Sequence, residues 1–201
     1  MRRSFLSILS VLLLLSFTAS VALASTRFGS PVLFTASASA SSAQSLASAD
    51  GTSLSLAPYV ATARGSRGGS CAAPCTGLSL NAKSTLVGLG QANATDTLTA
   101  EGTPIVTCTT QGGNMAPGQN APNVTISGQQ AIGASQIGKN GTAPLDVTAH
   151  VPPELLQPLP GRMWGCPNDN WTAQITAVTF TQATIKIYQN GTVSLQQTFH
   201  F

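Results

Sequence analysis

The two histidines of the chain, His150 and His200, are the first candidates for acid–base chemistry. Both lie where polar and apolar residues alternate, so we expect both on the polar faces of strands. Asp146 precedes His150 by four residues, which along a strand spans about 13 Å. The two side chains therefore cannot form a dyad on a straight strand. A small secreted hydrolase stays an alternative only if folding brings a distant acid to one histidine.

The acidic residues beyond the N-terminal segment are isolated from one another: Asp50, Asp96, Glu101, Asp146, Glu154 and Asp169. Glycosidases need two carboxylates that face each other across a cleft, and scattered acids neither suggest nor exclude such a pair. No metal-ligand or cofactor motif is present in the sequence, and we expect no catalytic residues, no metal and no cofactor.

Four cysteines are present, Cys71, Cys75, Cys108 and Cys166, and an even number in an exported chain indicates disulfides. Three pairings are possible. We favour Cys71 with Cys75, which closes a small loop, and Cys108 with Cys166, which closes a long one. A zinc site of four thiolates is the alternative, but the spacing lacks the paired short knuckles of structural zinc sites.

The two tryptophans flank Cys166 and are candidates for stacking on sugar rings. Trp171 alternates with Ala173 and Ile175, which predicts a place in the core. Trp164 lies in a loop and is the one we expect to be exposed, so it is the candidate ligand contact.

The elements that must position these residues are strands, as the C-terminal pattern shows. Apolar and polar residues alternate from Ala183 to Phe201, interrupted by Asn190-Gly191, and this predicts a hairpin with one apolar face. A two-residue Asn-Gly loop would set Ile187 opposite Ser194 and mix the faces. A three-residue loop that begins at Gln189 sets Ile187 opposite Val193 and Ile185 opposite Leu195, and we expect that loop.

Similar alternation occurs upstream, separated by clusters of turn-forming residues. The runs are Leu78 to Leu89, Thr95 to Ala100, Ile105 to Cys108, Val124 to Ile126, Leu145 to Val151 and Trp171 to Phe180. Seven or eight short strands without a helical period predict an all-β fold, an antiparallel immunoglobulin-like β-sandwich. A small barrel is the alternative.

The N-terminus has the three parts of an export signal. Arg2 and Arg3 precede an apolar run from Phe5 to Phe17, and Ala22-Leu23-Ala24 fits a cleavage site. The arginine pair also fits a twin-arginine signal, although the Leu-rich core favours the general secretory route. We therefore expect a signal peptide over 1–24, a flexible Ser/Ala/Gly-rich arm or stalk over 25–76, and a β-sandwich domain over 77–201. Within the arm, Pro31 to Phe34 and Ser53 to Ala57 could each add a strand.

Charge is scarce. The full chain has a net charge of +3, and loss of Arg2 and Arg3 leaves seven scattered cations against six acids. Binding to nucleic acid requires a basic patch, so we expect no nucleic-acid partner. The apolar run is shorter than the roughly 20 residues that a membrane helix needs, and we expect no membrane span after signal cleavage.

Two segments carry a resemblance. Gln111-Gly-Gly-Asn-Met-Ala-Pro-Gly-Gln-Asn120 and Cys166-Pro-Asn-Asp-Asn-Trp-Thr-Ala-Gln-Ile175 are similar to motifs of small secreted bacterial β-rich proteins of no known activity. The resemblance covers roughly the C-terminal half and implies a bacterial exported β-domain, and it transfers no functional residues.

These observations predict a secreted or cell-surface, non-enzymatic protein with a structural, adhesion or ligand-binding role. A carbohydrate or cell-wall binding module is the alternative, with the cell envelope or an extracellular polysaccharide as the partner.

Overall fold

The computed structural model describes residues 25–38 and 75–201, which form an all-β fold. The strands are β1 (Arg27–Phe28), β2 (Leu33–Ser37), β3 (Thr76–Gly77), β4 (Ser79–Val87), β5 (Ala94–Thr110), β6 (Met115–Pro117), β7 (Val124–Ile132), β8 (Ala143–His150), β9 (Leu159–Pro160), β10 (Trp171–Gln189) and β11 (Thr192–His200). Three short 3₁₀ segments cover Ala134–Gln136, Pro153–Leu155 and Arg162–Trp164. No helix within the described ranges is long and apolar enough to cross a membrane.

All strand pairs are antiparallel, which confirms the predicted all-β antiparallel class. The eleven strands belong to one open sheet whose main path is β1-β4-β8-β7-β5-β10-β11. The short strands β2, β3, β6 and β9 attach to β4, β10, β5 and β10. The prediction of seven or eight strands omitted these short strands and divided the longest strands into shorter ones.

Four of the predicted short strands are halves of two long ones. The runs Thr95 to Ala100 and Ile105 to Cys108 belong to β5, which has 17 residues, and β10 likewise continues for 19 residues. The sequence between the two halves of β5 contains Gly102 and Pro104, residue types that often interrupt a strand. Pro104 is tolerated because it lies between the part of β5 paired with β7 and the part paired with β6.

Two β-bulges explain why β10 does not show one continuous alternation. Thr176 and Thr181 are each an extra residue opposite β5, so the buried positions shift by one after each of them. The hydroxyl of Thr176 donates to the carbonyl of Ile105 at 3.1 Å, and that of Thr181 donates to the carbonyl of Glu101 at 3.3 Å. The bulges keep one face of β10 on the core along its whole length.

The hairpin loop is shorter than predicted. Asn190 and Gly191 both have positive φ (50° and 77°), as in a two-residue type I′ turn, so the three-residue loop is wrong. The mixing of faces that argued against this turn is avoided by a bulge at Ser194, whose hydroxyl donates to the carbonyl of Ile187 at 3.1 Å. Ile187 therefore lies opposite Leu195 rather than Val193, and Ile185 opposite Gln197 rather than Leu195.

The sheet consists of two groups of strands with a narrow connection. β1, β2, β4 and β8 form one group, and β5, β7, β10 and β11 form the longer part of the other. β7 and β8 are joined by a single pair, Ser127 with His150. A β-carbon built on Gly128 would lie 1.8 Å from the carbonyl oxygen of Thr148, so the two strands cross in close backbone contact that only glycine permits.

The two ends of the sheet meet through phenylalanine rings. Phe34 of β2 contacts Phe199 and Phe201, with ring centroids 5.1 Å apart in both pairs, and Phe28 of β1 lies 6.0 Å from Phe199. Among the described residues no hydrogen-bonded strand pair joins β11 to β1 or β2. The rings belong to or pack against one continuous core cluster that includes the inward residues Leu145, Val147, Ala149 and Val151, as predicted.

The predicted flexible arm is wrong for residues 25–38. β1 and β2 pair with β4, and Val32 and Phe34 are buried; the strand expected over Pro31 to Phe34 is present but runs over Leu33–Ser37. The predicted signal peptide, the strand over Ser53 to Ala57 and the rest of the arm up to residue 74 lie outside the described residues.

Candidate functional site

The outer face of β2, β4 and β8 carries a regular array of polar side chains, which we call the polar grid. Strand register aligns its members in three rows: Lys83 and Asp146, then Thr35, Asn81 and Thr148, then Ser37, Ser79 and His150. Residues opposite one another on antiparallel strands point to the same face, so these side chains share one face of the sheet, on which Ser79 alone is buried. Alternation places the apolar residues of the same strands, such as Leu80, Ala82 and Val147, in the core.

Asn81 is at the centre of the polar grid and connects its rows. Its Nδ2 donates to Asp146 Oδ1 and to Thr148 Oγ1, both at 2.8 Å, and lies 3.3 Å from the carbonyl oxygen of Val147. An amide held by several partners loses little rotamer freedom when a ligand binds. Its Oδ1 has no partner among the hydrogen bonds of the described residues and can accept one from a ligand.

Asp146 is the negative centre of the polar grid. Its Oδ2 forms an ion pair with Lys83 Nζ at 3.1 Å, and both side chains are half exposed or more. The pKa of Asp146 lies below its ordinary value, mainly because Asn81 donates a hydrogen bond to the carboxylate. Slight burial raises the pKa, and the hydrogen bond and positive charge of Lys83 lower it further. Since an exposed pair adds little stability, the pair mainly fixes the positions of a carboxylate and an ammonium at the surface.

The grid lines a shallow, open groove of about 450 Å³ bounded by residues of all three strands. A second depression of about 420 Å³ adjoins it, and Pro31 and the half-exposed Leu33 give this neighbour an apolar margin. The combined surface presents hydroxyl, amide, carboxylate and ammonium groups beside a small aliphatic patch. Such a surface can form many directed hydrogen bonds to a ligand and can cover one apolar face of it.

The histidines are placed as predicted, on exposed polar faces. His150 ends β8 in the third row of the polar grid, while Asp146 is in the first, with the Asn81 row between them. His200 is exposed near the end of β11, on the other group of strands. Among the described residues no group of three His, Cys, Asp or Glu side chains could hold a metal ion.

The disulfide between Cys108 and Cys166 is present as predicted, with a sequence separation of 58 residues. A loop of that length stabilises the fold by about 4 kcal/mol in the chain-entropy account. Cys75 is also disulfide-bonded, and Cys71, its predicted partner, lies outside the described residues.

Trp164 is buried, which contradicts the expectation that it is exposed. Only 8% of its surface is accessible, because the 3₁₀ turn Arg162–Trp164 packs against the core beside the disulfide. Gly165 follows with φ of 83°, and a β-carbon there would lie 2.0 Å from the carbonyl oxygen of Gln119. The amide of Gln119 donates to the carbonyl of Gly165 at 2.8 Å. Trp164 thus supports the fold where the two resemblance segments meet.

Neither the polar grid as a unit nor the burial of Asp96 is among the features predicted from the sequence. The grid combines residues from three segments that only strand register aligns, so no local motif signals it. Asp96 could have been found, because it has the same parity on β5 as Ala94, Leu98 and Ala100, all of which are buried.

No protein-family model matches the chain, and no curated protein or solved structure is significantly similar to it.

Proposed function

We propose that this chain is an extracellular, non-enzymatic protein with an adhesion or ligand-binding role, and that the polar grid is its binding surface. The observation that carries the proposal is the array of hydrogen-bonding side chains aligned across β2, β4 and β8 around a pre-ordered Asn81. A strand scaffold holds such groups more rigidly than loops do, which reduces the ordering cost of binding.

The ligand class that fits this surface best is carbohydrate. Sugars present neighbouring hydroxyl groups that both donate and accept hydrogen bonds, and the grid offers donors, acceptors and groups that do both. The aliphatic margin at Pro31 and Leu33 suits the apolar face of a sugar ring. The near balance of Lys83 against Asp146 favours a neutral polysaccharide of the cell envelope or extracellular matrix over a strongly charged polymer.

The same proposal extends to the fold and the location. The two strand groups, joined by the single Ser127–His150 pair and by the contacts between phenylalanine rings, are consistent with two layers of an immunoglobulin-like sandwich. The Cys108–Cys166 disulfide is compatible with an oxidising, extracellular location, which the export-signal pattern of the N-terminus also favours.

A non-enzymatic role is supported by the placement of the groups that could do acid–base chemistry. His150 and His200 lie on open surfaces of different strand groups, and His150 is separated from Asp146 by a complete row of the grid.

The test is retention of the purified, oxidised chain on insoluble polysaccharides, peptidoglycan and envelope preparations. We expect saturable retention of the parent chain on at least one of them. In Asn81→Ala the amide that organises the grid is lost, and the affinity should fall about tenfold, since one lost hydrogen bond to the ligand is worth up to about 1.5 kcal/mol.

Thr97→Ala is the matched control, since Thr97 lines a similar polar depression on the outer face of β5, β7 and β10. Its retention should equal that of the parent. Equal loss in both variants would place the ligand elsewhere, and lack of retention on every material would contradict a carbohydrate-binding function. Trp164→Ala is unsuitable, because its burial makes any loss a report on folding.

A further inference from the structure

Asp96 is the one ionisable side chain buried within the described residues. It lies on the core face of β5 with 0% of its surface exposed. Thr26 and Ser79 are the only other buried polar residues in the described part of the chain. Strand register places it between Gln130 of β7 and Ile187 of β10. A carboxyl group at this position has exchanged water for an apolar environment.

Neither carboxylate oxygen of Asp96 has a hydrogen-bond partner among the described residues. Gln130, the nearest polar neighbour by register, has its Oε1 engaged by the backbone amide of Asp146 at 2.8 Å. Buried polar groups are almost always paired, and an unpaired ionised carboxylate in a core is far more costly than an unpaired neutral acid. The position of Asp96 therefore favours the protonated form.

Within the described residues no opposite charge compensates Asp96. The charged and titratable side chains of the strands packed around it are exposed or lie on outward faces: Arg27, Lys83, Glu101, Asp146, His150, Lys186, Tyr188 and His200. Burial alone raises the pKa of Asp96 from 3.8 to about 7.

Little else in the described domain would oppose folding in acid. Acid denaturation arises mainly from carboxylates whose ionised form is stabilised in the folded state. Among the described residues only Asp146 has a lowered pKa, and its ion pair with Lys83 is exposed. The whole chain contains only six acidic residues and 7% charged residues, so protonation in acid adds little net charge to repel.

We propose that this fold is adapted to acidic surroundings and that Asp96 is a buried proton-binding group whose ionisation loosens the β5–β7–β10 region as the surroundings become neutral. The protein is then most firmly folded in mildly acidic medium, and neutral medium is the condition in which the strands around Asp96 open.

The direction in which stability changes with pH follows from the state, folded or unfolded, that holds the proton of Asp96 more tightly. Below pH 3.8 Asp96 is protonated in both states, and its full contribution to stability is present. Between pH 3.8 and about 7 only the unfolded chain ionises readily, so the equilibrium constant for folding falls about tenfold per pH unit, on the order of a thousandfold in total. Above that range both states are ionised, and the dependence ends.

The experiment is urea unfolding of the purified chain with its disulfides intact, at intervals from pH 3.5 to 8. We expect the parent to lose stability across the range from 4 to 7. Asp96→Asn keeps the shape but cannot ionise, and its stability should be nearly constant there. Asp146→Asn, the exposed control, should parallel the parent. A parent whose stability is constant or rises with pH, or an Asp96→Asn variant with an unchanged slope, overturns the proposal.

A second measurement decides the question if Asp96→Asn fails to fold. Carboxyl carbons of the parent, labelled with ¹³C at aspartate, can be titrated by NMR. A midpoint near pH 7 for Asp96, well above the other aspartates, supports the proposal, and a midpoint near 4 overturns it. Hydrogen exchange of β5 amides at pH 5 and pH 8 then tests the loosening, which predicts faster exchange at pH 8 beyond the chemical effect of pH. Equal protection at both values overturns the loosening.

Discussion

At Gly128 the absence of a side chain allows the backbones of the two strand groups to come into close contact. Gly128 pairs with Leu98 of β5, yet its α-carbon passes so close to β8 that a β-carbon would overlap the carbonyl of Thr148. The φ of Gly128 is not in the left-handed region, so the requirement for glycine is one of space rather than of backbone conformation.

Gly128→Ala should therefore destabilise the protein by about 3 kcal/mol, the upper part of the range for overpacking, because backbone rather than a flexible side chain must move. Urea unfolding measures the change. Gly112→Ala is the control, since its nearest neighbour would be 3.8 Å from the new β-carbon, and it should shift the free energy of unfolding by no more than about 0.5 kcal/mol. Equal effects of the two substitutions would mean that β7 and β8 do not cross closely at Gly128.

Individual residues were foreseeable from the sequence when strand parity alone decides their environment. His150 and His200 were assigned to polar faces by alternation, and the structure agrees. The expectation for Trp164 is wrong because the backbone of its turn packs against Gly118 and Gln119, which precede it by more than forty residues. A loop residue does not belong to the inward and outward alternation of a strand, so only tertiary packing decides its exposure.

At the level of the elements, the bulges of β10 decide which side chains reach the core. Phe180 faces inward before the bulge at Thr181, and Ala183 and Ile185 face inward after it. Removing the extra residue would leave an ordinary alternation with the same pairs, whereas removing a residue within a regular stretch would turn every later side chain over.

Deletion of Thr181 should thus give a folded protein of reduced stability, since Phe180 and Ala183 keep their faces. Deletion of Thr184, three positions later, should prevent folding, because it would turn Ile185 and Ile187 outward and Lys186 inward. Circular dichroism and the recovery of soluble, oxidised protein distinguish the two results. A soluble, cooperative Thr184 deletion would contradict the register given for β10 and β11.

The same bulges limited what could be predicted about elements. The sequence indicated strands over much of the long elements, but a period-two pattern that is reset at Thr181 reads as two strands, Trp171 to Phe180 and the run that begins at Ala183. In the hairpin, Asn190-Gly191 was a correct signal for a two-residue turn. The bulge at Ser194, which makes this turn compatible with one apolar face, leaves no local mark in a stretch of Thr, Val, Ser and Leu, so the pattern alone favours the three-residue loop.

At the scale of the whole molecule, aromatic contacts rather than hydrogen bonds bring the ends of the sheet together. Phe34 is 2% exposed and contacts two rings contributed by the C-terminal end of the chain. Edge-to-face ring pairs add to the free energy of burial, so this cluster couples β2 to β11 although they are far apart in sequence.

Phe34→Ala should lower the free energy of unfolding by about 3 to 5 kcal/mol, as for other large core residues, and should expose β11. Leu33→Ala, at the adjacent and 52% exposed position, should cost less than about 1 kcal/mol. Thermal unfolding gives the free energies, and amide exchange of β11 reports the coupling. If β11 stays fully protected in Phe34→Ala, the rings do not hold the two ends together.

The fold class was predictable from the sequence. The contact between the two ends of the sheet was not. Alternation and the even number of cysteines predicted an all-β antiparallel fold and the Cys108–Cys166 disulfide. The contribution of residues 25–38 was underestimated, because β1 and β2 are short and gain their stability only from β4 and the distant phenylalanines. The polar grid includes residues of β2, so it could not be predicted from the sequence for the same reason.

The Cys108–Cys166 disulfide also determines how the molecule would respond to tension. It connects the end of β5 to the segment before β10, and β6, β7, β8 and β9 lie between its two cysteines. A pull applied to the two ends of the chain passes through the sulfur atoms and bypasses those four strands. The 58-residue span cannot be drawn out, which shortens the fully extended chain by about 200 Å. Load on the chain therefore does not act directly on β7 and β8, but unravelling of β4 would still remove the main hydrogen-bonding partner of β8.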